Sequence, residues 1–192
     1  MLPEHLPQPR QLPPHLRKKP EPEPAFGFEI RDAQAEDLPD VREIYNYYVA
    51  NSVVTFDEDA MTLREWKSKF AYLQKFNMPF LVAVSPSGQV LGYALVTPWK
   101  QKRAYRYTVE NSIYLRAAST SKGMGRVLLG ELIERSKQAG LKEMIAVLAD
   151  SGAEASLKLH EDFGFKEIGR MGRVGFKFDR WLGTVMLQKS LK

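Results

Sequence analysis

The segment from Glu110 to Arg126 constrains the fold more than any other part of the sequence. Its first six residues favour a β-strand, its middle is a polar turn, and Gly123 and Gly125 open a long helical run. A glycine-bearing turn at a helix N-terminus directs several backbone N–H groups towards one point, which suits a phosphate or pyrophosphate. The turn is not a Walker A loop, and Leu128 breaks the dinucleotide motif GxGxxG. The segment therefore predicts a main-chain anion site, unless the glycines only shape a turn.

Hydrophobic periodicity along the chain predicts the element order β-α-α-β-β-β-α-β-α-β-β. The strand–helix–strand unit 106–148 is expected to form a right-handed parallel crossover within an otherwise antiparallel sheet. We therefore expect an α/β fold, with a mixed, mostly antiparallel central sheet and helices on both faces. The predicted strands are 28–31, 80–84, 90–96, 105–115, 144–148, 165–173 and 181–187, and the predicted helices are 35–50, a segment following a capping box at Thr62 and Glu65, 124–139, and 154–163.

Composition separates a proline-rich extension from a single folded domain. Residues 1–25 hold eight of the 12 prolines, which predicts a flexible tail, whereas residues 26–192 have the composition of one globular domain. The tail could alternatively contact a neighbouring subunit, a partner protein or nucleic acid. The chain has no cysteine and only three histidines, two of them in the tail, so we expect no disulfide and no metal site.

Charge and hydropathy narrow the class of ligand. The formal net charge is +5, and no helix-turn-helix, RNP or zinc-finger pattern accompanies it, so we interpret it as favouring an anionic small ligand and not nucleic acid. No apolar run is long enough to cross a membrane, and the first residues lack the apolar region of a signal peptide. We therefore expect a cytoplasmic protein without a membrane partner.

Several motifs together resemble the GCN5-related N-acetyltransferases (GNAT), and within them the phosphinothricin acetyltransferase branch. They are IYNYYV (44–49), TF (55–56), GYA (92–94), AYRYTVENSIYL (104–115), GMG (123–125), SLKLHEDFGF (156–165), VGFKFDRW (174–181) and VMLQKSL (185–191). The resemblance implies the GNAT fold, acetyl-CoA as co-substrate without a metal, and a homodimer. It also implies acetyl transfer, in a ternary complex, to the α-amino group of phosphinothricin, methionine sulfoximine, methionine sulfone or a related L-amino acid.

Three positions depart from the pattern of this branch. The cofactor loop has Thr120 where Arg or Gln is usual, the helix before LHE has Ala153 where Asn is usual, and Gly183 replaces the Asp of a Trp-x-Asp motif. The first two changes remove side-chain contacts to the cofactor but not the backbone N–H groups. They leave open a second class of function, a catalytically weak acyl-CoA-binding sensor. Other acceptors, such as a protein N-terminus, a polyamine or an aminoglycoside, also remain open.

Two residues are candidates for proton transfer. Glu110 is the candidate general base, and because a glutamate pKa is about 4.3 in solution, partial burial would have to raise it. The alternative is that Glu110 forms an ion pair with Arg106 or a lysine. His160 is the only histidine of the predicted domain and lies four residues before Gly164. It could protonate the leaving thiolate, relay a proton or serve only as a structural residue.

The resemblance also implies residues that bind the two substrates. The pyrophosphate is expected to meet the main chain of the glycine turn, and the pantetheine arm to pair with the strand that precedes it. Arg106, predicted on that strand, is expected to bind an acceptor carboxylate. The full set of candidates is Lys122, Gly123, Met124, Gly125 and Arg126 for the pyrophosphate, Ile113, Tyr114 and Leu115 for pantetheine, Ser156 for the cofactor, and Phe56, Arg106 and Tyr107 for the acceptor.

Overall fold

The structure is a computed structural model that describes residues 27–120 and 123–192. Both the predicted extension 1–25 and Lys122 lie outside the described residues. The strands are β1 (Glu29–Asp32), β2 (Phe80–Val84), β3 (Val90–Pro98), β4 (Thr108–Leu115), β5 (Glu143–Ala149), β6 (Lys166–Lys177) and β7 (Arg180–Ser190). The helices are α1 (Leu38–Asn51), α2 (Leu63–Lys75), α3 (Met124–Gln138) and α4 (Glu154–Asp162).

The described strands form one seven-stranded sheet in the order β1-β2-β3-β4-β5-β7-β6. Every neighbouring pair is antiparallel except β4 and β5, which α3 connects as a parallel crossover. This arrangement confirms the predicted α/β fold with a mixed, mostly antiparallel sheet. None of the helices in the described ranges is long and apolar enough to cross a membrane.

Helices cover both faces of the sheet, as predicted. On one face, α1 and α2 bury a cluster that contains Leu38, Trp66 and Tyr93. On the other face, α3 buries Leu128 and Leu132 in a second cluster, against which α4 packs partly buried apolar side chains. Because each helix is apolar along one stripe only, the sheet lies between two separate cores.

Local sequence signals account for several element boundaries. The capping box before α2 is present: Glu65 N–H donates to Thr62 Oγ1 over 3.2 Å, and Thr62 N–H donates to Glu65 Oε2 over 2.7 Å. Gly123 precedes α3 with a φ of 77°, a left-handed conformation that glycine adopts without strain. The β6–β7 hairpin turns at Phe178 and Asp179, both with positive φ, as a two-residue turn of this hand requires.

The predicted bounds of three strands are wrong. The strand predicted from residue 105 begins only at Thr108, because the preceding residues satisfy their backbone locally: Tyr105 N–H donates to the Lys102 carbonyl and Arg106 N–H to the Arg103 carbonyl. The last hairpin is longer than predicted on both strands. A register irregularity between Met171 and Gly175 lets β6 continue past the point where its hydrophobic alternation fades.

Candidate active site

A wedge between β4 and β5 is the central feature of the site. The two strands pair only from Thr108–Glu110 to Glu143–Ile145; beyond this, β5 pairs with β7 alone and β4 with β3 alone. The Tyr107 carbonyl accepts hydrogen bonds on the β5 side of the strand. The Thr108 carbonyl and the Arg116 N–H make their hydrogen bonds on the β3 side. Since backbone groups alternate along a strand, those of residues 111, 113 and 115 face the wedge. Among the described strands, none pairs with the main chain of Ile113 and Leu115 on this side of β4.

A cavity of about 750 Å³ occupies this wedge. Residues 110–115 of β4 line it, together with the C-terminal half of β5, α4 and the segment 54–56 that follows α1. It brings together most of the sequence-predicted residues. Those that line it are Phe56, Glu110, Ile113, Tyr114, Leu115, Gly125, Ser156 and His160.

Glu110 lies at the closed end of the wedge, where β4 and β5 part. Its side chain is half-buried and makes no hydrogen bond or ion pair with the residues that the structure describes. Burial raises its pKa, while the charges of Lys100 and Lys69 act in the opposite direction. The alternative that Glu110 is an ion-pair partner of Arg106 or a lysine is thus not observed in this part of the chain. A carboxylate with a raised pKa in a cavity suits general-base chemistry.

His160 is 1% exposed, and both of its ring nitrogens have partners. Nδ1 lies 2.7 Å from the Ser156 carbonyl and must donate to it, since a carbonyl only accepts. Nε2 is then the unprotonated nitrogen, and it lies 3.1 Å from Nδ2 of Asn111, which can donate to it. Burial lowers the pKa of His160, which keeps the ring neutral at physiological pH.

Glu110 and His160 approach the wedge from opposite faces of the sheet. Successive residues of a strand point to opposite faces, so Glu110 shares the α1–α2 face with Tyr114. Asn111, which contacts His160, points to the face covered by α3 and α4. A substrate in the wedge would therefore have the carboxylate on one side and the imidazole–amide pair on the other.

The glycine turn provides a helix N-terminus beside the wedge. Arg126 and Val127 donate to the Gly123 carbonyl over 3.1 and 3.3 Å, so the N–H groups of Met124 and Gly125 precede the hydrogen-bonded part of α3. The Met124 side chain is fully buried, which leaves only its main chain for a ligand. The Arg126 guanidinium is engaged by Asp162 at 2.8 Å.

The three departures from the family pattern have different structural settings. Thr120 lines the cavity, but its hydroxyl donates to the Ala117 carbonyl over 2.9 Å. Ala153 also lines the cavity and precedes α4 without a side-chain cap. Gly183 lies where an added Cβ would come within 2.3 Å of Asp150 Oδ2, so its close packing excludes the aspartate of the pattern in this conformation.

The structure does not bring Arg106 or Tyr107 to the cavity. The prediction that Arg106 lies on the strand is wrong, since it precedes β4 and its guanidinium donates to the Arg103 carbonyl over 3.3 Å. It also stacks on the Tyr107 ring, which is about half exposed. Within one chain, neither residue is placed to bind an acceptor in the wedge.

Several residues that shape the site are not among the candidate site residues of the sequence. Tyr48 donates to the Leu115 carbonyl over 2.7 Å, and Tyr45 and Tyr48 line the cavity; helical spacing places them on the apolar face of α1, mostly as core residues, and leaves open that one lines a pocket. Lys69 on α2 lies near Glu110 and Asp57, whose charges raise its pKa while burial lowers it more strongly. Helical spacing would have placed Lys69 on the face of α2 next to Trp66, but nothing in the sequence linked that face to Glu110.

A splayed parallel strand pair, a helix N-terminus beside it and a half-buried carboxylate at its base suit an enzyme that transfers an acyl group from coenzyme A. Comparison with known families shows that residues 30–186 match the acetyltransferase (GNAT) domain. The chain therefore belongs to the GNAT acetyltransferases. It is 40% identical over 162 residues to the L-methionine sulfoximine/L-methionine sulfone acetyltransferase of Pseudomonas paraeruginosa, covering 84% of this chain and 94% of that protein. The predicted family is thereby confirmed.

Two further relatives belong to the phosphinothricin branch. The phosphinothricin N-acetyltransferase of Alcaligenes faecalis is 37% identical over 162 residues, covering 84% of this chain and 82% of that protein. The solved phosphinothricin acetyltransferase of Sinorhizobium meliloti, in complex with acetyl-CoA, matches with a TM-score of 0.81 and 38% identity, covering 85% of this chain and 88% of that one.

The residues around the wedge fit acetyl-CoA, the co-substrate. The backbone groups of Ile113 and Leu115 face the open edge, where pantetheine amides could pair, and the Met124 and Gly125 N–H groups form a cradle for the pyrophosphate. At Gly125 an added Cβ would sit 3.5 Å from Leu159 Cδ2, so alanine would be tolerated sterically but would narrow the cavity.

Proposed function

We propose that the protein transfers the acetyl group of acetyl-CoA to the α-amino group of a small L-amino acid or glutamate-like analogue, such as methionine sulfone, methionine sulfoximine or phosphinothricin. The half-buried Glu110 at the closed end of the wedge is the observation that carries this proposal. The names of the relatives above support the acceptor class. Acetyl-CoA as co-substrate supports a cytoplasmic location.

The proposed reaction is a direct transfer in a ternary complex. Glu110 takes a proton from the acceptor ammonium, directly or through a water molecule, and the neutral amine attacks the thioester carbon. The C–N bond forms, the oxyanion accepts a hydrogen bond from a β4 N–H group near Leu115, and the C–S bond then breaks. The attacking nitrogen loses its second proton, the departing thiolate takes up one proton, and the proton on Glu110 returns to solvent, giving the N-acetyl amino acid and free CoA.

Of the three roles open for His160, the geometry supports a structural one. Its Nδ1 proton is held by the Ser156 carbonyl and its Nε2 lone pair faces the Asn111 amide, so neither nitrogen offers a proton to the wedge. We propose that His160 fixes Asn111, whose main chain lines the open edge of β4.

The acceptor carboxylate needs a cation near Glu110, and Arg106 does not provide one within a single chain. Lys69 and Lys100 are the basic side chains whose charges act on Glu110. Lys69 is half-buried, its ammonium lies 5.1 Å from the centroid of the Trp66 ring, and it makes no ion pair with the residues that the structure describes, so no carboxylate there neutralises its charge. We propose that Lys69 binds the acceptor's acidic group.

A homodimer is also part of the proposal. The β6–β7 hairpin exposes a run of apolar side chains, and Phe176 and Trp181 pack against each other while each remains more than half exposed. Exposed apolar surface of this kind commonly marks a protein interface. A second copy of the chain would cover it.

A thiol-release screen tests the proposed function. Methionine sulfone, methionine sulfoximine and phosphinothricin should release CoA, whereas the α-amides of the same amino acids should be poorer acceptors, because the amides lack the carboxylate. Equal rates for acids and amides, or better rates with a peptide N-terminus, would point to another acceptor. Acetyl-CoA binding without thiol release across a panel of amines would favour the sensor.

A further inference from the structure

Lys177 on β6 is a buried lysine that the proposed chemistry does not use. It is 2% exposed, and its ammonium donates to the Ser52 and Thr55 carbonyls, each over 2.9 Å. No carboxylate lies within ion-pairing distance of it in the described ranges. Removing a cation from water is unfavourable unless its hydrogen bonds are replaced, and here two backbone carbonyls replace them.

The two carbonyls belong to the segment between α1 and α2 that forms one wall of the cavity. Residues 54–56 of this segment line the cavity. The Phe56 ring rests directly on Gly175, where an added Cβ would come within 2.4 Å of Phe56 Cδ2. β6 thus holds the segment in two ways, by the Lys177 hydrogen bonds and by the bare backbone of Gly175.

This wall covers the face of the wedge that carries Glu110. Thr55 Oγ1 lies 3.2 Å from the Tyr45 hydroxyl, and the Tyr45 ring meets the Tyr114 ring edge-on at 5.3 Å. Tyr114 projects from β4 on the same face as Glu110, whereas the glycine turn serves the opposite face through α3. The segment 52–56 therefore lies at the acceptor end of the cavity and away from the pyrophosphate cradle.

We propose that Lys177 is a positioning residue that fixes the segment 52–56 as the acceptor-side wall of the active site. The inference rests on the proposed acetyl transfer for the meaning of "acceptor side". The structural effect does not depend on the reaction: without the Lys177 ammonium, the Ser52 and Thr55 carbonyls lose their common donor. The wall then loosens, while the main-chain cradle of acetyl-CoA stays intact.

Steady-state kinetics of Lys177→Met, with methionine sulfone as acceptor, test the proposal. The acceptor KM should rise by about tenfold or more, the scale of lost charge-assisted hydrogen bonds, while the acetyl-CoA KM stays within about twofold. Lys177→Arg should recover part of the acceptor KM, since it restores a donor. Lys166→Met, at an exposed position on the same strand, is the matched control and should match the wild type.

Hydrogen exchange of the free enzyme separates this inference from the proposed function. Amides of residues 52–57 should exchange about tenfold faster or more in Lys177→Met than in Lys166→Met, whatever the acceptor proves to be. If Lys177→Met does not fold, Gly175→Ala tests the same wall by displacing Phe56 and should raise the acceptor KM alone. Unchanged exchange with an unchanged acceptor KM, or an equal rise of both KM values, would overturn the proposal.

Discussion

At the scale of single residues, burial of Glu110 should reduce stability in return for a usable base. When folding raises the pKa of an acid, its charged form is less favourable in the folded protein than in the unfolded chain. Ionisation of that acid therefore lowers the free energy of unfolding. Its unfavourable contribution is absent below the unfolded pKa of about 4.3, grows as pH rises above that value, and is complete above the higher folded pKa. The protein with ionised Glu110 should therefore be less stable at neutral pH than a variant without that charge.

Glu110→Gln should raise Tm near neutral pH, because glutamine places no charge at this half-buried position. Below about pH 4 the wild type and Glu110→Gln should have the same Tm, because both side chains are then neutral. Thermal melts at both pH values check this. Glu161→Gln, at an exposed position of α4, is the control and should show no gain. A gain that persists in acid would mean that charge burial is not its cause.

His160 and Asn111 should behave as one unit. His160→Phe and Asn111→Leu should each lower kcat, and the double variant should be no worse than the poorer single variant, because both remove the same contact. If His160 instead protonated the thiolate, His160→Phe would cost far more than Asn111→Leu and the two effects would add. The kcat values of the four proteins decide between these roles.

At the scale of elements, the turn before α3 should set the affinity for acetyl-CoA. In Gly123→Ala, alanine must adopt a left-handed backbone conformation, at a cost of about 1–2 kcal/mol. The strain falls in the turn that presents the N–H groups. We expect a higher acetyl-CoA KM with little change in acceptor KM. Gly88→Ala imposes similar strain in the β2–β3 turn, away from the cavity, and should lower Tm without changing either KM. Equal kinetic effects of both variants would refute a specific role for the turn.

Local signals predicted most elements, but they did not predict the start of β4. The capping box at Thr62 and Glu65 depends on neighbours in sequence, so a pattern reveals it. Residues 105–107 alternate like a strand, yet the N–H groups of Tyr105 and Arg106 donate to carbonyls of the preceding turn. Because this turn forms in place of the predicted strand, Arg106 lies outside the cavity. Composition alone does not show which of the two structures forms.

At the scale of the whole molecule, the missing parts of the site were contacts between distant segments. Lys177 donates to the carbonyls of Thr55 and Ser52, which precede it by 122 and 125 residues in the sequence. His160 contacts Asn111, which precedes it by 49 residues. The family resemblance pointed to the strand that carries Glu110 and to the glycine turn, because both lie within motifs. No periodicity links Lys177 to the segment 52–56 or Lys69 to Glu110, since only the tertiary fold brings each pair together.

The exposed apolar hairpin should make self-association depend on its aromatic side chains. Trp181→Asp should shift the protein from dimer towards monomer in sedimentation equilibrium, because a charge would replace an apolar contact at the proposed interface. Tyr72→Asp, at a similarly exposed aromatic position on α2, should leave the assembly unchanged. A monomeric wild type, or a dimer unaffected by Trp181→Asp, would remove the hairpin as the interface.

The central claim is that Glu110 accepts the proton of the acceptor amine, and the pH dependence of kcat/KM for the acceptor tests it most directly. The wild-type profile should rise on its acidic side as Glu110 ionises, at a pH above the ordinary glutamate range because burial raises this pKa. Glu110→Gln should lose that limb and lower kcat/KM by about 100-fold or more, the contribution typical of a general base. A Glu110→Gln enzyme that keeps the wild-type kcat/KM throughout the profile would contradict the account.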